Sequence, residues 1–368
     1  MSPKAQMALA LASGLLAAAA ARAATIVVTP GQSIQAAVDQ ASPGDRVVVR
    51  AGTYHETGAP YAVQVTKSHI HLLAAGHVVI ERTGAQTNGI WVSPPDSLFP
   101  EDVEQPPCGL SGTRLTDFEL RGFTIQGFPA DGAYLACVDH FRIVGNTAQH
   151  NDTYAIFPVR SSNGRMTRNM GKSTLTDACI YVGQDDHIVV DHNRATDCQI
   201  GLQIENSTNI RMRDNVSTGN TAGMIVDILN GRQVKVVSDN VVSGNRLLDN
   251  NRPNSAPEGA DTHDILPGIG LVVDGAQRTT VSNNVFRGNT LAGMTIVPFC
   301  LDRADVCSAG PLDIVPDPGD NRFVHNRFQD DKIDVIYLPG TGQGNCFARN
   351  VPRTLTASGG PLPACAPR

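Results

Sequence analysis

The chain repeats short apolar segments that each end in asparagine. From about residue 140 onward an apolar-x-x-Asn string recurs, with its asparagines at Asn146, Asn169, Asn193, Asn215, Asn240, Asn284, Asn326 and Asn350. Successive asparagines lie 22 to 25 residues apart, except across two gaps of 44 and 42 residues that contain inserts. A period of this length predicts a solenoid, in which each repeat buries its apolar side against its neighbours.

A second string, between the asparagines, has the period of a β-strand. Gly201-Leu202-Gln203-Ile204 and Gly223-Met224-Ile225-Val226 are two of its copies. Alternating apolar and variable positions indicate a strand with one buried face. A leucine-rich repeat would require a fixed leucine ladder, which the sequence lacks. We therefore predict an all-β, single-domain parallel β-helix. Asparagine suits its corners, because asparagine tolerates left-handed backbone and its amides can stack in ladders.

The first 23 residues have the pattern of a secretory signal peptide. Lys4 precedes an apolar run from Met7 to Ala20, and Ala21-Arg22-Ala23 is a small-residue cleavage signal. The run is shorter than the roughly 20 residues that a spanning helix needs. We expect no membrane span and an exported protein, periplasmic or secreted. Residues 24–368 then form the β-helix domain, with a short helix after Ser33 that caps its N-terminal end.

Export makes the eight cysteines candidates for disulfide bonds. The predicted pairs are Cys300–Cys307, Cys346–Cys365, Cys108–Cys137 and Cys179–Cys198. The sequence contains no C-x-x-C pair, which disfavours a thiolate zinc site.

A formal net charge of -6 argues against nucleic acid as a partner. We expect a monomer.

The stretch Val28–Tyr54 and the repeats Ile143–Val297 resemble the exported right-handed parallel β-helix repeat proteins. Three strings, at residues 181–184, 204–207 and 254–257, are most similar to a bacterial subfamily without an established activity. The wider superfamily includes pectate lyases, polygalacturonases, alginate lyases and mannuronan epimerases. It also includes periplasmic accessory proteins that resemble the nitrous-oxide reductase maturation factor. The resemblance implies right-handed coiling but not one reaction, because function resides in sites and not in folds.

Three inserts, at residues 93–112, 247–267 and 298–320, border the same sheet of the predicted solenoid. Long loops on a rigid scaffold commonly carry function, so we predict a groove for a polysaccharide. By alternation, its floor presents Trp91, Tyr134, Phe157, Tyr181 and Gln203 in successive coils. Aromatic rings suit the C–H faces of sugars. Packing of the rings beneath the first insert explains them equally well.

The next outward position carries Glu205, Asp227 and Asp274 on neighbouring coils. Three adjacent carboxylates cannot all stay charged without help. Ca²⁺ between them is one solution and resembles the acidic column of the pectate lyases. A second solution is that one of the carboxyl groups keeps its proton. This would set a general acid beside a base, as glycoside hydrolysis requires. Pairing with arginine is the third.

Elimination or epimerisation of a uronic acid requires a cation at the sugar carboxylate, a base and an acid. Arg160, Tyr181 and His187 are the candidates for these roles. The string Asp261-Thr262-His263-Asp264 is similar to the Asp-Pro-His-Asp element of mannuronan epimerases, but Thr262 replaces the proline and the string lies in an insert. The resulting hypothesis is a polysaccharide-binding protein, and more sharply a lyase or epimerase of an acidic glycan. The alternative is a non-catalytic periplasmic accessory or binding protein.

Overall fold

Short strands pair in parallel with the strands one repeat earlier, so the chain forms a right-handed parallel β-helix, as predicted. The computed structural model describes residues 23–95, 108, 112–338, 340–352, 357–358 and 361–366. The predicted signal segment up to residue 22, and most of the first insert, lie outside the described residues. Among those described, no helix has the length and hydropathy needed to cross a bilayer.

The elements follow in the order β1 (Thr25–Val28), α1 (Ile34–Gln40), β2 (Arg46–Tyr54), β3 (Tyr61–Val65), β4 (His71–Glu81), β5 (Asn88–Val92), β6 (Leu115–Gln126), β7 (Ala133–Ala136), β8 (Val138–Val144), β9 (Thr147–Gln149), β10 (Ile156–Val159), β11 (Arg165–Thr167), β12 (Met170–Lys172), β13 (Ala178–Gly183), β14 (Val189–Asp191), β15 (Arg194–Thr196), β16 (Ile200–Glu205), β17 (Arg211–Arg213), β18 (Val216–Thr218), β19 (Ala222–Asp227), β20 (Val241–Ser243), β21 (Arg246–Leu248), β22 (Ile269–Asp274), β23 (Thr280–Ser282), β24 (Val285–Arg287), β25 (Ala292–Val297), α2 (Phe299–Asp302), α3 (Ala304–Ala309), β26 (Arg322–Val324), β27 (Arg327–Gln329), β28 (Val335–Tyr337), β29 (Cys346–Ala348) and β30 (Ala357–Ser358).

Two parallel sheets enclose the core. One sheet, which we call the groove sheet, contains β3, β5, β7, β10, β13, β16, β19, β22, β25, β28 and β30 in spatial order. The other strands form the second sheet, which bends between its two short strands in each coil, as between β14 and β15. Gly183 pairs with Glu205, and Glu205 with Asp227, so the predicted register of the groove sheet is correct.

An asparagine ladder stabilises the bend of the second sheet. Its members are buried and comprise Asn146, Asn169, Asn193, Asn215, Asn245, Asn284, Asn326 and Asn350. In each step one side-chain amide donates to the next side-chain oxygen, at 3.0 Å between Asn215 and Asn245. The prediction that Asn240 belongs to this ladder was wrong. The Asn240 side-chain oxygen accepts a hydrogen bond from the Ile210 backbone amide, at a different corner of the coil. The string Val242-Ser243-Gly244-Asn245 carries the same sequence motif.

Helix α1 covers the N-terminal end of the solenoid, as predicted. The Ser33 hydroxyl accepts a hydrogen bond from the Ala36 amide at 3.0 Å, which satisfies one of the free donors of the first turn. The buried Glu56 carboxylate accepts from the Ile34 amide at 2.6 Å. Ile34 and Val38 face inward and close the apolar interior. All four predicted disulfides are present.

A second, shorter ladder ends in an aspartate. Asn220, Asn250 and Asn289 stack in order, and the Asn289 side-chain amide donates to Asp331 Oδ1 at 2.7 Å. The other oxygen of Asp331 is buried and has no hydrogen-bond partner among the described residues. Burial raises the pKa of Asp331 from 3.8 to about 6. An amide would therefore suit this position better than an ionised carboxylate does.

Asp331→Asn is expected to stabilise the protein at neutral pH by about 1–2 kcal/mol, a value that allows for partial solvent screening of this carboxyl. Because the folded-state pKa of Asp331 is raised, its ionisation costs stability as the pH rises from about 4 to about 6. Urea unfolding of both proteins at pH 7 and at pH 4 measures the gain, which should vanish at pH 4. The exposed neighbour Asp330→Asn is the control, and equal stability of Asp331→Asn and the native protein at pH 7 would contradict the argument.

Candidate functional site

A groove runs over the outer face of the groove sheet, between loops that leave and enter its strands. It consists of a cavity of about 290 Å³ and an adjoining cavity of about 220 Å³. Tyr154, Glu205, Arg232 and Asp261 line both cavities, so they form one continuous site. Residues from the second and third inserts line the larger cavity, as the insert positions predicted.

The aromatic residues predicted for the floor form a stack that is largely buried. The Trp91 indole lies between Tyr61 and Tyr134, at ring-centroid distances of 4.4 and 4.2 Å. Both faces of Trp91 are thus occupied, and Trp91 lines neither cavity. Trp91 therefore packs against its neighbouring rings; packing beneath the first insert concerns residues that lie mostly outside those described. Tyr134 and Phe157 do line the smaller cavity, where the groove begins.

The three predicted carboxylates lie side by side on the floor. Glu205 and Asp227 are paired in register on β16 and β19, and Asp274 ends β22, the next strand. All three are buried, and all line the larger cavity. Neighbouring strands are about 4.8 Å apart, so the sheet sets the spacing of the backbones that carry these carboxyl groups.

Glu205 has two partners that hold its charge. The Tyr181 hydroxyl donates to Glu205 Oε2, and the Arg232 guanidinium lies 3.2 Å from Glu205 Oε1. Burial raises the pKa of Glu205, and the charge of Arg232 opposes this rise. Burial raises the pKa of Tyr181 well above 10. Tyr181 therefore keeps its proton and serves Glu205 as a hydrogen-bond donor.

Asp227 is the carboxyl that most readily keeps a proton. Burial, and then the charge of Glu205, raise its pKa well above the ordinary value. The Gln203 amide donates to both oxygens of Asp227, at 3.2 and 3.1 Å. Gln203 thus orients the carboxyl but does not neutralise it. The pKa of both carboxyls is therefore raised, and the charge of Arg232 makes Glu205 the one that ionises more readily.

Tyr154 and Asp177 also line the larger cavity, and neither was predicted from the sequence. The Tyr154 hydroxyl donates to Asp177 Oδ2 at 3.1 Å, and burial raises the pKa of Asp177 to about 7. Both residues precede a groove-sheet strand. Asp131, Tyr154 and Asp177 are spaced by 23 residues, and the same period would have placed them in one column.

Loops supply the remaining charged groups of the groove. Arg232 lies in the loop between β19 and β20, which the sequence analysis did not recognise as an insert. Arg303 lies between α2 and α3, in the third insert, and Asp261 lies in the second. The second insert is anchored at the groove edge, because the Gln199 amide donates to the Thr262 carbonyl at 3.1 Å. Asp261 of the epimerase-like string therefore reaches the site from the insert.

Of the remaining candidates, Arg160 lies in the site and His187 lies outside it. Arg160 lines the smaller cavity and is mostly buried. His187 lies at a turn, with its side chain 60% exposed and its Nδ1 atom 2.5 Å from Asp186 Oδ2. It lines neither cavity of the groove. Within the described part of the chain, no three His, Cys, Asp or Glu side chains are arranged to hold a metal ion. Calcium at Glu205, Asp227 and Asp274 stays a prediction.

The fold and the groove define the molecule as a right-handed parallel β-helix protein with an acidic groove over one sheet. Within this class, the chain belongs to the family described as periplasmic copper-binding protein (NosD), whose sequence model matches residues 116–361. The family is periplasmic, and four disulfide bonds are typical of an oxidising compartment outside the cytoplasm. No curated protein matches the chain by sequence.

Solved structures share the fold at low sequence identity. The A-module of mannuronan C-5 epimerase AlgE6 from Azotobacter vinelandii is 16% identical, with 88% of this chain and 83% of that chain covered and a TM-score of 0.62. The tailspike protein of E. coli bacteriophage HK620, solved with a pentasaccharide, is 14% identical, with coverages of 88% and 60% and a TM-score of 0.60. The family 28 exopolygalacturonase of Yersinia enterocolitica is 12% identical, with coverages of 89% and 78% and a TM-score of 0.53.

The side chains described here do not fit the copper site that the family description implies. Copper favours thiolate, thioether and imidazole ligands. All eight cysteines form disulfides. The side chains of Met166, Met212, Met224 and Met294 are fully buried in the core. The ten histidines all lie in the described part of the chain, and they do not cluster into a metal site there. We derive no chemistry through copper.

Proposed function

We propose that the groove binds a polysaccharide and hydrolyses its glycosidic bonds. The observation that carries this proposal is the pair Glu205 and Asp227, paired in register on neighbouring strands at the floor of a groove. Glycoside hydrolysis requires a protonated carboxyl next to an ionised one. Burial raises the pKa of both carboxyls, but Arg232 and Tyr181 stabilise the charge of Glu205, so Asp227 is the one that keeps its proton more readily.

In this mechanism Asp227 donates its proton to the oxygen of the leaving sugar. Glu205 forms a bond to the anomeric carbon as the bond to the leaving oxygen breaks. Water then gives a proton to the ionised Asp227 and displaces Glu205 from the sugar, which restores both carboxyl groups. A retaining hydrolase has its two carboxyl groups about 5 Å apart, and parallel strands about 4.8 Å apart can bring an Asp and a Glu side chain into that range. Tyr181 and Gln203 are positioning residues, since they hold Glu205 and Asp227.

The charge of the groove favours a neutral glycan. Its carboxyl groups are Asp177, Glu205, Asp227, Asp261, Asp264 and Asp274, and its arginines are Arg160, Arg232 and Arg303. Even with Asp227 protonated, the other carboxyls outnumber the arginines, and a uronic acid would add further negative charge. Lyase or epimerase action on an acidic glycan is the second candidate, favoured by Arg160 and Tyr181 in the smaller cavity. Tyr181 is a weak candidate for its base, because its pKa is raised.

One assay separates these reactions. The purified protein is incubated with galactan, xylan and dextran as neutral glycans, and with alginate and pectate as acidic ones, with and without Ca²⁺. Hydrolysis releases reducing ends, β-elimination adds ultraviolet absorbance from an unsaturated product, and epimerisation changes the uronate stereochemistry seen by NMR. We expect reducing ends from a neutral glycan without added absorbance.

Other outcomes of the assay reject the proposal in different ways. Unsaturated product from alginate or pectate would replace hydrolysis by elimination. Activity that depends on Ca²⁺ would support the predicted metal role of Glu205, Asp227 and Asp274. Binding to a glycan column without any turnover would support the non-catalytic accessory alternative. The absence of both binding and turnover with all five polymers would contradict a glycan groove.

A further inference from the structure

The larger cavity has an aliphatic end beyond its carboxyl groups. Leu266, from the second insert, and Leu301, from the third, lie on its rim. Their side chains are 60% and 57% exposed, the highest values among the large hydrophobic residues described. Isolated surface leucines are common, but two from separate inserts at one concave site mark a binding surface.

The floor of the same cavity also changes its chemistry along the column of outward residues. In the column of outward residues, the aromatic rings end at Tyr181, and Gln203 follows on the next coil. The next coils present Ile225, Val272 and then Thr295. All three of these line the larger cavity. A sugar ring that leaves the carboxyl pair in this direction would therefore meet branched aliphatic side chains and no aromatic face.

We propose that this end of the groove takes an aliphatic chain attached to the sugar, so that the ligand is an acylated or alkylated glycan. The proposal rests on the proposed function, because it uses the carboxyl pair to locate the sugar. A cavity of about 290 Å³ suits part of a small molecule, at the lower limit of ligand pockets, and is too small for a segment of another protein. Each methylene buried against these aliphatic side chains would gain binding free energy from its removal from water.

Two soluble probes test the aliphatic site. Methyl β-D-glucopyranoside and n-octyl β-D-glucopyranoside share a head group, and the octyl compound is used below its micelle-forming concentration. Calorimetric titration of the full mature protein is expected to show octyl glucoside bound at least about tenfold more tightly than methyl glucoside. Leu266→Ser and Leu301→Ser should each remove most of this preference. Both residues are exposed, so both variants are expected to fold.

Leu175→Ser is the matched control. Leu175 is 45% exposed and lines neither cavity of the groove, so its replacement should leave the octyl preference unchanged. Equal affinity for the two glucosides would overturn the proposal. The proposal would also be overturned if Leu175→Ser lost the octyl preference as fully as Leu266→Ser and Leu301→Ser do.

Failure of this inference can be told apart from failure of the proposed function. Asp227→Asn removes the acid required for hydrolysis but leaves the leucines intact, and it should keep the octyl preference. If no polymer is hydrolysed but the leucine-dependent preference is measured, the aliphatic site stands and the hydrolase proposal falls. If hydrolysis is measured and the preference is not, the aliphatic site falls alone.

Discussion

Asp227→Asn is expected to lower kcat for glycan hydrolysis by about a thousandfold, a typical loss when a general acid is removed. Asparagine keeps the shape of the carboxyl and its contact with Gln203 but has no acidic proton to give to the leaving group. The native kcat should also fall as the pH rises through the raised pKa of Asp227, because the active form is protonated. The variant should lack this dependence. Steady-state kinetics across a pH series, on the glycan that the assay identifies, measure both effects.

Asp214→Asn provides the control for Asp227→Asn. Asp214 is exposed at a turn with φ of 55°, a conformation that asparagine tolerates, and it does not line the groove. Its variant should retain full activity. Residual kcat within tenfold of the native value in Asp227→Asn, with an unchanged pH profile, would exclude Asp227 as the acid. Circular dichroism and the melting temperature establish that each variant is folded.

Asn215→Ala is expected to destabilise the fold by about 4 kcal/mol, which is large for one substitution. The Asn215 oxygen accepts from both the backbone and the side chain of Asn193, and its amide donates to Val190 and Asn245. All four bonds are lost in alanine, and their partners stay buried where water cannot replace the missing contact. Urea unfolding at pH 7 gives the change in the free energy of unfolding.

Gln149→Ala is the matched control for the ladder. Gln149 also belongs to a stacked pair of amides, since its Nε2 donates to Gln126 at 2.8 Å, but this pair is partly exposed. Water can satisfy Gln126 after the substitution, so the expected cost is below about 0.5 kcal/mol. Similar losses for Asn215→Ala and Gln149→Ala would mean that burial of the ladder does not set its contribution.

The periodic part of the molecule could be predicted from the sequence. Strand alternation placed Gln203 and Glu205 on the outer face, and parallel pairing then fixed which residues of the next coils lie beside them. The error at Asn240 arose where the period is broken. Asn240 and Asn245 both complete an apolar-x-x-Asn string there, and only the three-dimensional stacking of Asn245 on Asn215 distinguishes them.

The site was only partly predictable, because loops contribute half of its chemistry. Arg232, Arg303 and Asp261 come from segments without a period, so their distance from the floor cannot be obtained from alternation. The aromatic column shows a different limit. Its register was correct, but stacking of Trp91 between Tyr61 and Tyr134 closes the ring faces that a sugar would need.

The asparagine ladder lets stability and specificity evolve separately. From Asn215 to Asn245, Asn284 and Asn326 the ladder spans intervals of 30, 39 and 42 residues, yet each side-chain contact is 3.0 Å. The chain thus returns to the same register whatever length has been added in between, and the entropic cost of a longer loop grows only slowly. Segments of the groove wall can therefore change in length or sequence while the coils keep their register. A new ligand preference can arise in this way while the coils beneath it remain unaltered.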